Sequence, residues 1–198
     1  LRFDERIDPS LEEISEKIIN CQMCKLAETR TNAVPGEGPQ DARLFFVGEG
    51  PGKKEDETGR PFVGQAGRLF DQLLEEVAIS REEVFITSVL KCRPPENRSP
   101  HREEVKSCLP YLLSQVDSVC PVVIIAMGNS AYDVFSYTFY LPKKKVGDIR
   151  GKVFHLSSTG AKVLIPTYHP AGLLYNRKLI PLFIEDLKRA KDQLRYHR

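Results

Sequence analysis

The chain has 198 residues, 28% charged and 41% of the hydrophobic types, with a formal net charge of +2. That length suits one domain, read as residues 1–198, and the composition excludes disordered, collagenous and disulfide-stapled classes. No apolar run reaches membrane-spanning length, and the visible amino terminus is charged and amphipathic, unlike the apolar core of a secretory signal.

Ser10 and Glu13 form a capping-box pattern that predicts a helix running to about Asn20. The next element is an apolar strand at 44–47, followed by Gly48-Glu49-Gly50-Pro51-Gly52. Helical spacing of Ala66, Leu69, Phe70, Leu73, Leu74 and Val77 predicts a helix over 64–78. A β-rich strand at 84–90 leads into a proline-broken loop at 93–100. Ser99 and Pro100 read as the N-cap and first residue of the following helix, which Pro110 should kink or divide. A strand at 122–127, a helix at about 130–139, and paired strands at 152–156 and 162–166 around a Ser157-Ser158-Thr159-Gly160 turn come next. Asn176 is placed to cap a final amphipathic helix carrying Leu179, Leu182, Phe183, Leu187, Ala190 and Leu194. Strands alternating with helices predict an α/β fold with a parallel sheet, whose ligands bind beyond the carboxyl ends of the strands.

Glu49 stands at such a strand end, on a glycine turn that lets the backbone approach a ligand, so it is a candidate general base. The same turn is not a phosphate-binding P-loop: its glycine spacing is too short, and Lys54 stands where a hydroxyl would bind Mg²⁺. His169 follows a strand, and Pro170 restricts its backbone. A lone histidine is more often structural, but the His-Pro step with Gly172 nearby points to an aimed imidazole. Phe62, between Pro61 and Gly64 in a loop, is either core or a stacking face for a planar ligand. Basic residues gather at Lys91, Arg93, Arg98 and Arg102, at 143–145, and at Arg177 and Lys178. Such clusters either contact phosphates or are solvated loop ends.

Cys21 and Cys24 have knuckle spacing, and Cys92 and Cys108 lie far along the chain. Four thiolates of this kind suit zinc or an iron–sulfur cluster, and their spacing does not separate the two. A disulfide framework fits poorly with a chain of intracellular character. Cys120, just before a core strand, reads as a buried apolar residue.

Taken together, Cys21-x-x-Cys24, 32–38, Gly48-Glu49-Gly50-Pro51-Gly52-x-x-Glu55-Asp56, 59–64, Lys91-Cys92-Arg93-Pro94-Pro95-x-Asn97-Arg98, Cys108 and Tyr168-His169-Pro170-Ala171 resemble the uracil-DNA glycosylase superfamily. Within it, the chain is most similar to the iron–sulfur family 4 enzymes. The resemblance implies a three-layer α/β/α sandwich with a central, mainly parallel four-stranded sheet. It implies a [4Fe–4S] cluster on Cys21, Cys24, Cys92 and Cys108, joining the amino-terminal segment to the sheet. It implies an enzyme acting on uracil in single- or double-stranded DNA and leaving an abasic site; apart from the resemblance, no feature demands a partner chain or a membrane, so a cytoplasmic monomer is expected. By the same resemblance Phe62 stacks on the flipped base, Gly50 contacts its edge, and Glu55 and Asn97 support the pocket. Glu49 activates water and His169 stabilises the departing base. Leu173, Leu174 or Tyr175 wedges into the duplex, and Lys91, Arg93 and Arg98 hold phosphates.

Two positions depart from the family pattern. Gly50 stands where alanine is usual, and Ser88 where a pocket asparagine is expected. A hydroxyl is shorter than an amide and reads one edge position instead of two; leaving a polar partner unsatisfied costs about 1–3 kcal/mol. Two alternatives follow: a glycosylase that prefers another deaminated base such as hypoxanthine, and a catalytically weak, cluster-containing DNA-binding protein. The retained Glu49 and His169 favour an enzyme.

Overall fold

The computed structural model describes residues 9–157 and 160–197. The first eight residues, and with them most of the charged amino terminus, lie outside the described residues. So do Ser158 and Thr159 of the expected turn.

In chain order the elements are α1 (Leu11–Ile19), α2 (Leu26–Thr29), β1 (Leu44–Gly48), α3 (Lys53–Thr58), α4 (Gln65–Glu76), β2 (Phe85–Ser88), α5 (Arg102–Val119), β3 (Val123–Met127), α6 (Asn129–Thr138), α7 (Val146–Ile149), β4 (Phe154–His155), β5 (Val163–Thr167), α8 (Pro170–Tyr175) and α9 (Ile180–Tyr196). The capping box of α1 forms as expected, with Glu13 N–H donating to Ser10 Oγ and Ser10 N–H donating to Glu13 Oε2.

The sheet order is β2-β1-β3-β5-β4. β2, β1, β3 and β5 run parallel, and β4 pairs antiparallel with β5. The sheet therefore has five strands, not four; the additional one is the short edge strand read in the sequence as pairing with 162–166. Side chains alternate across a pleat. Phe45, Val47, Ile124, Ala126 and Leu164 accordingly enter one apolar cluster with residues of α5, α6 and α7. Leu44, Phe46, Ile86, Val123, Ile125, Val163 and Ile165 enter another with residues of α4, α8 and α9. β1, β3 and β5 are buried along their whole length. This is why they read as continuous apolar runs rather than alternating ones.

Three expectations shift. α5 starts two residues later than Ser99 and Pro100 suggest, because Glu104 accepts the His101 N–H at 2.8 Å and makes His101 the N-cap. α5 also runs through Pro110 undivided. Asn176 precedes a single 3₁₀ turn, Arg177–Leu179, and α9 begins only at Ile180.

Strand order reverses between β1 and β3, whose neighbours lie on opposite sides. In open α/β sheets the crevice at such a switch point, beyond the carboxyl ends, is where ligands sit. The segments leaving β1, β2, β3 and β5 there carry Glu49, Ser88, Ser130 and His169.

Candidate active site

The end of β1 is stripped of side-chain bulk. A Cβ added to Gly48 would lie 2.6 Å from Phe62 Cζ and 3.2 Å from His169 Nε2. The bare strand end therefore lets an aromatic edge and an imidazole converge on it. The Phe62 and His169 rings have centroids 5.6 Å apart with 33° between their planes. Phe62 also leans on Phe70, at 5.4 Å, and is buried as part of the core cluster, 7% exposed.

His169 caps α8. Its Nδ1 accepts the Ala171 N–H at 3.2 Å, which leaves Nε2 to carry the proton of the neutral ring. Burial holds its pKa down to about 4, with Glu55 pulling weakly the other way. The ring at the strand end is thus a neutral N–H donor.

Glu49 leaves β1 beside the N-terminus of α6, where Ser130 Oγ donates to Glu49 Oε2. Ser130 fixes one carboxylate oxygen, and among the described residues Oε1 has no hydrogen-bond donor. The β-ladder continues past Glu49, whose C=O accepts the Leu90 N–H at 3.0 Å. A crevice beside it is lined by Glu49, Gly50, Leu90, Pro94, Asn97 and Arg98. Ser88, the last residue of β2, is buried in register with Gly48. Asn97 is exposed, and its Oδ1 accepts from Arg93 Nε at 2.8 Å. A larger cavity, about 360 Å³, lies at the opposite sheet edge between Arg43, Ile79, Val84 and Lys191, away from these groups.

Other expected site residues are placed differently. Lys91 is 1% exposed, and its Nζ donates to Thr87 Oγ1, the Ser88 carbonyl and Gln115 Oε1 at 2.6, 2.9 and 2.7 Å. Burial lowers its pKa to about 7. It braces the end of β2 from within and is out of reach of a phosphate. Arg98 forms a bidentate pair with Glu104, which occupies both its terminal nitrogens. Leu173 is fully buried in the cluster beneath α8, so it is no wedge; Leu174 is half-buried and Tyr175 is 92% exposed. Glu55 accepts N–H groups from Val63, Gly64 and Gly52 at 2.8, 2.7 and 3.1 Å, which makes it a brace for the loop carrying Phe62.

Cys92 and Cys108 are buried, while Cys21 and Cys24 are half-buried. They share a neighbourhood: burial raises the Cys92 thiol pKa, with Cys24 and Cys21 adding to the rise. Burial pushes the Cys108 thiol up to about 11, with Cys92 and Cys24 contributing. Arg30, unforeseen in the sequence, donates to Cys92 Sγ at 3.0 Å and to the Ile19 and Cys21 carbonyls at 2.7 and 3.0 Å. Among the described residues, no group of three or more His, Cys, Asp or Glu side chains is placed to hold a single metal ion. Cys120 is exposed rather than buried: it ends α5 in a left-handed conformation (φ 50°) that turns its thiol to the Gly160 carbonyl.

At the switch point, a crevice lined by the Glu49 carboxylate lies beside a neutral imidazole and an aromatic ring that converge on Gly48, an enzyme-like arrangement. The Uracil DNA glycosylase superfamily pattern matches residues 35–194, and the chain belongs to that family. It is 42% identical over 187 residues to a type-4 uracil-DNA glycosylase of Saccharolobus solfataricus, covering 93% of this chain and 87% of that one. It is 45% identical to the type-4 uracil-DNA glycosylase of Thermotoga maritima (91% and 93% covered) and 45% identical to that of Pyrobaculum aerophilum (89% and 91%).

Proposed function

We propose that the protein is a monofunctional uracil-DNA glycosylase that hydrolyses the N-glycosidic bond of uracil in DNA and leaves an abasic site for repair. The observation that carries the reading is the convergence of Phe62 and His169 Nε2 on Gly48, one residue from Glu49. A base flipped from the stack enters this crevice and lies on Phe62. Glu49, oriented by Ser130, holds a water and takes its proton as the oxygen attacks the sugar carbon. The bonding pair of the glycosidic bond leaves with uracil, and the neutral His169 donates a hydrogen bond to the charge growing on that base. Gly50 lets the β1 backbone approach the base edge, with Asn97 at the crevice rim.

Cys21, Cys24, Cys92 and Cys108 would hold a [4Fe–4S] cluster. An all-sulfur donor set fits a multi-iron cluster, and Arg30 beside Cys92 would offset its negative charge. Such a cluster would supply a cross-link tying the segment around Cys21 to α5 and the loop after β2. The fold is a three-layer α/β/α sandwich, supported by the two apolar clusters. The enzyme works inside the cell as a monomer.

The deciding assay uses oligonucleotides bearing uracil, hypoxanthine or xanthine, followed by alkali cleavage. Uracil is excised, and His169→Ala slows that excision about 100-fold or more while DNA binding changes little. No abasic product from any of the three would overturn the enzyme reading. Buried Ser88 favours one variation, a shifted base preference. A preference for hypoxanthine that Ser88→Asn moves back towards uracil would establish it.

A further inference from the structure

Phe62 has a positive φ of 51°, a backbone region that an aromatic residue enters only against steric cost. Charged groups hold the chain there from both sides. On the carbonyl side, Arg81 Nη2 donates to Pro61 O at 2.7 Å and Nη1 donates to Phe62 O at 3.4 Å. On the amide side, Glu55 takes the next two N–H groups, those of Val63 and Gly64. Gly67 leaves the room this requires: a Cβ there would fall 1.8 Å from Phe62 O.

Arg81 is itself fixed. Its Nη2 and Nε donate to Glu37 Oε1 at 2.6 and 3.1 Å, and its Nη1 donates to Asp71 at 2.6 Å. Glu37 in turn exchanges backbone hydrogen bonds with Ile86 of β2, at 2.9 and 2.8 Å. The height of the Phe62 ring is therefore referenced to β2, the strand whose last residue, Ser88, is in register with Gly48.

We propose that Arg81 is a positioning residue of the glycosylase: tied to β2 through Glu37, it holds Phe62 in its left-handed conformation and so sets the plane on which the flipped base stacks. The inference rests on Phe62 being the stacking face. Arg81 touches no substrate, so its effect passes entirely through Phe62.

The test is a double-mutant cycle on the full chain. Arg81→Gln, Arg81→Lys, Phe62→Leu and the Arg81→Gln/Phe62→Leu pair are compared for inhibition by free uracil and for single-turnover excision. Arg81→Gln weakens both by about tenfold, the scale of a lost aromatic stack. Arg81→Lys restores part of the loss, and affinity for an undamaged duplex is unchanged. In the Phe62→Leu background, Arg81→Gln adds less than about twofold, because the two changes break one interaction. Multiplicative losses, or a folded Arg81→Gln with full uracil affinity, would overturn the proposal. Absence of excision by the unmodified protein would instead overturn the proposed activity. In that case, amide exchange at Val63 and Gly64 decides the clamp: faster exchange in Arg81→Gln than in the unmodified protein supports it, and equal rates overturn it.

Discussion

His169 has no free choice of charge. Its Nδ1 is committed to the Ala171 N–H, and burial favours the neutral ring. With a folded pKa of about 4 against 6.5 for the free side chain, the unfolded chain binds the proton first as pH falls. The unfolded state then holds more protons across that window, so stability falls from about pH 6.5 to about pH 4 and is independent of this group above it. His169→Gln should flatten that part of the stability profile, as read from urea midpoints at pH 5 and pH 7. Excision should likewise show no acid limb near pH 6.5 belonging to His169; a limb there that His169→Gln removes would contradict the neutral-donor role. The strand-end positions of Glu49 and His169 were legible in the sequence because strand ends, glycines and a His-Pro step are local signals. Ser130, Arg30 and Arg81 were not, because their partners lie 81, 62 and 44 positions away. Lys91 misled for a related reason. A lysine just past a strand looks solvent-bound until Thr87, Gln115 and the Ser88 carbonyl are seen to fill its hydrogen-bonding capacity.

Among the elements, α8 shows how six residues divide their duties. His169 caps it, Leu173 anchors it in the core and Tyr175 projects from its end. The sequence placed the wedge here but not on a particular residue, since so short a helix has too few turns to reveal its buried face. Leu173→Ala should cost about 2–5 kcal/mol by denaturant unfolding, as for other buried leucines. Tyr175→Ala should stay within about 0.5 kcal/mol. If Tyr175 fills the gap left by a flipped base, its removal slows excision from duplex DNA more than from single strands; equal slowing on both would remove it from that role. The strands were the most legible elements, because burial on both faces writes them as unbroken apolar runs. Helix starts were less so: α5 is set by Glu104 acting on His101, an interaction that outweighs the Ser99-Pro100 signal.

At the scale of the whole molecule, the phosphate-binding surface has to be redrawn. With Lys91 inside and Arg98 paired, the first cluster keeps exposed Arg102 and half-buried Arg93, while the lysines at 143–145 and Arg177 with Lys178 are exposed throughout. The lysine loop is moored to α6, at the carboxyl end of β3: Asn129 Oδ1 accepts the Val146 N–H at 2.9 Å, and Tyr132 Oη donates to Pro142 O at 2.6 Å. Replacing all three lysines by serine should reduce the slope of log affinity against log salt by about 0.9 for each phosphate no longer neutralised. Lys91→Met should leave that slope unchanged. Binding isotherms across a salt series distinguish the two.

The short edge strand β4 and the single antiparallel bridge between Glu37 and Ile86 have a joint consequence for the protein's life in a crowded solution. They occupy the two outer rims of the sheet, the places where a stray extended chain would otherwise zip onto free N–H and C=O groups. β4 offers only two residues, and β2 is already partnered at its middle by the loop that also anchors Arg81. A sheet whose rims are partly covered in this way offers few free groups for edge-to-edge growth. The protein should therefore remain dispersed at concentrations and temperatures where an open-edged sheet of the same apolar content would begin to aggregate.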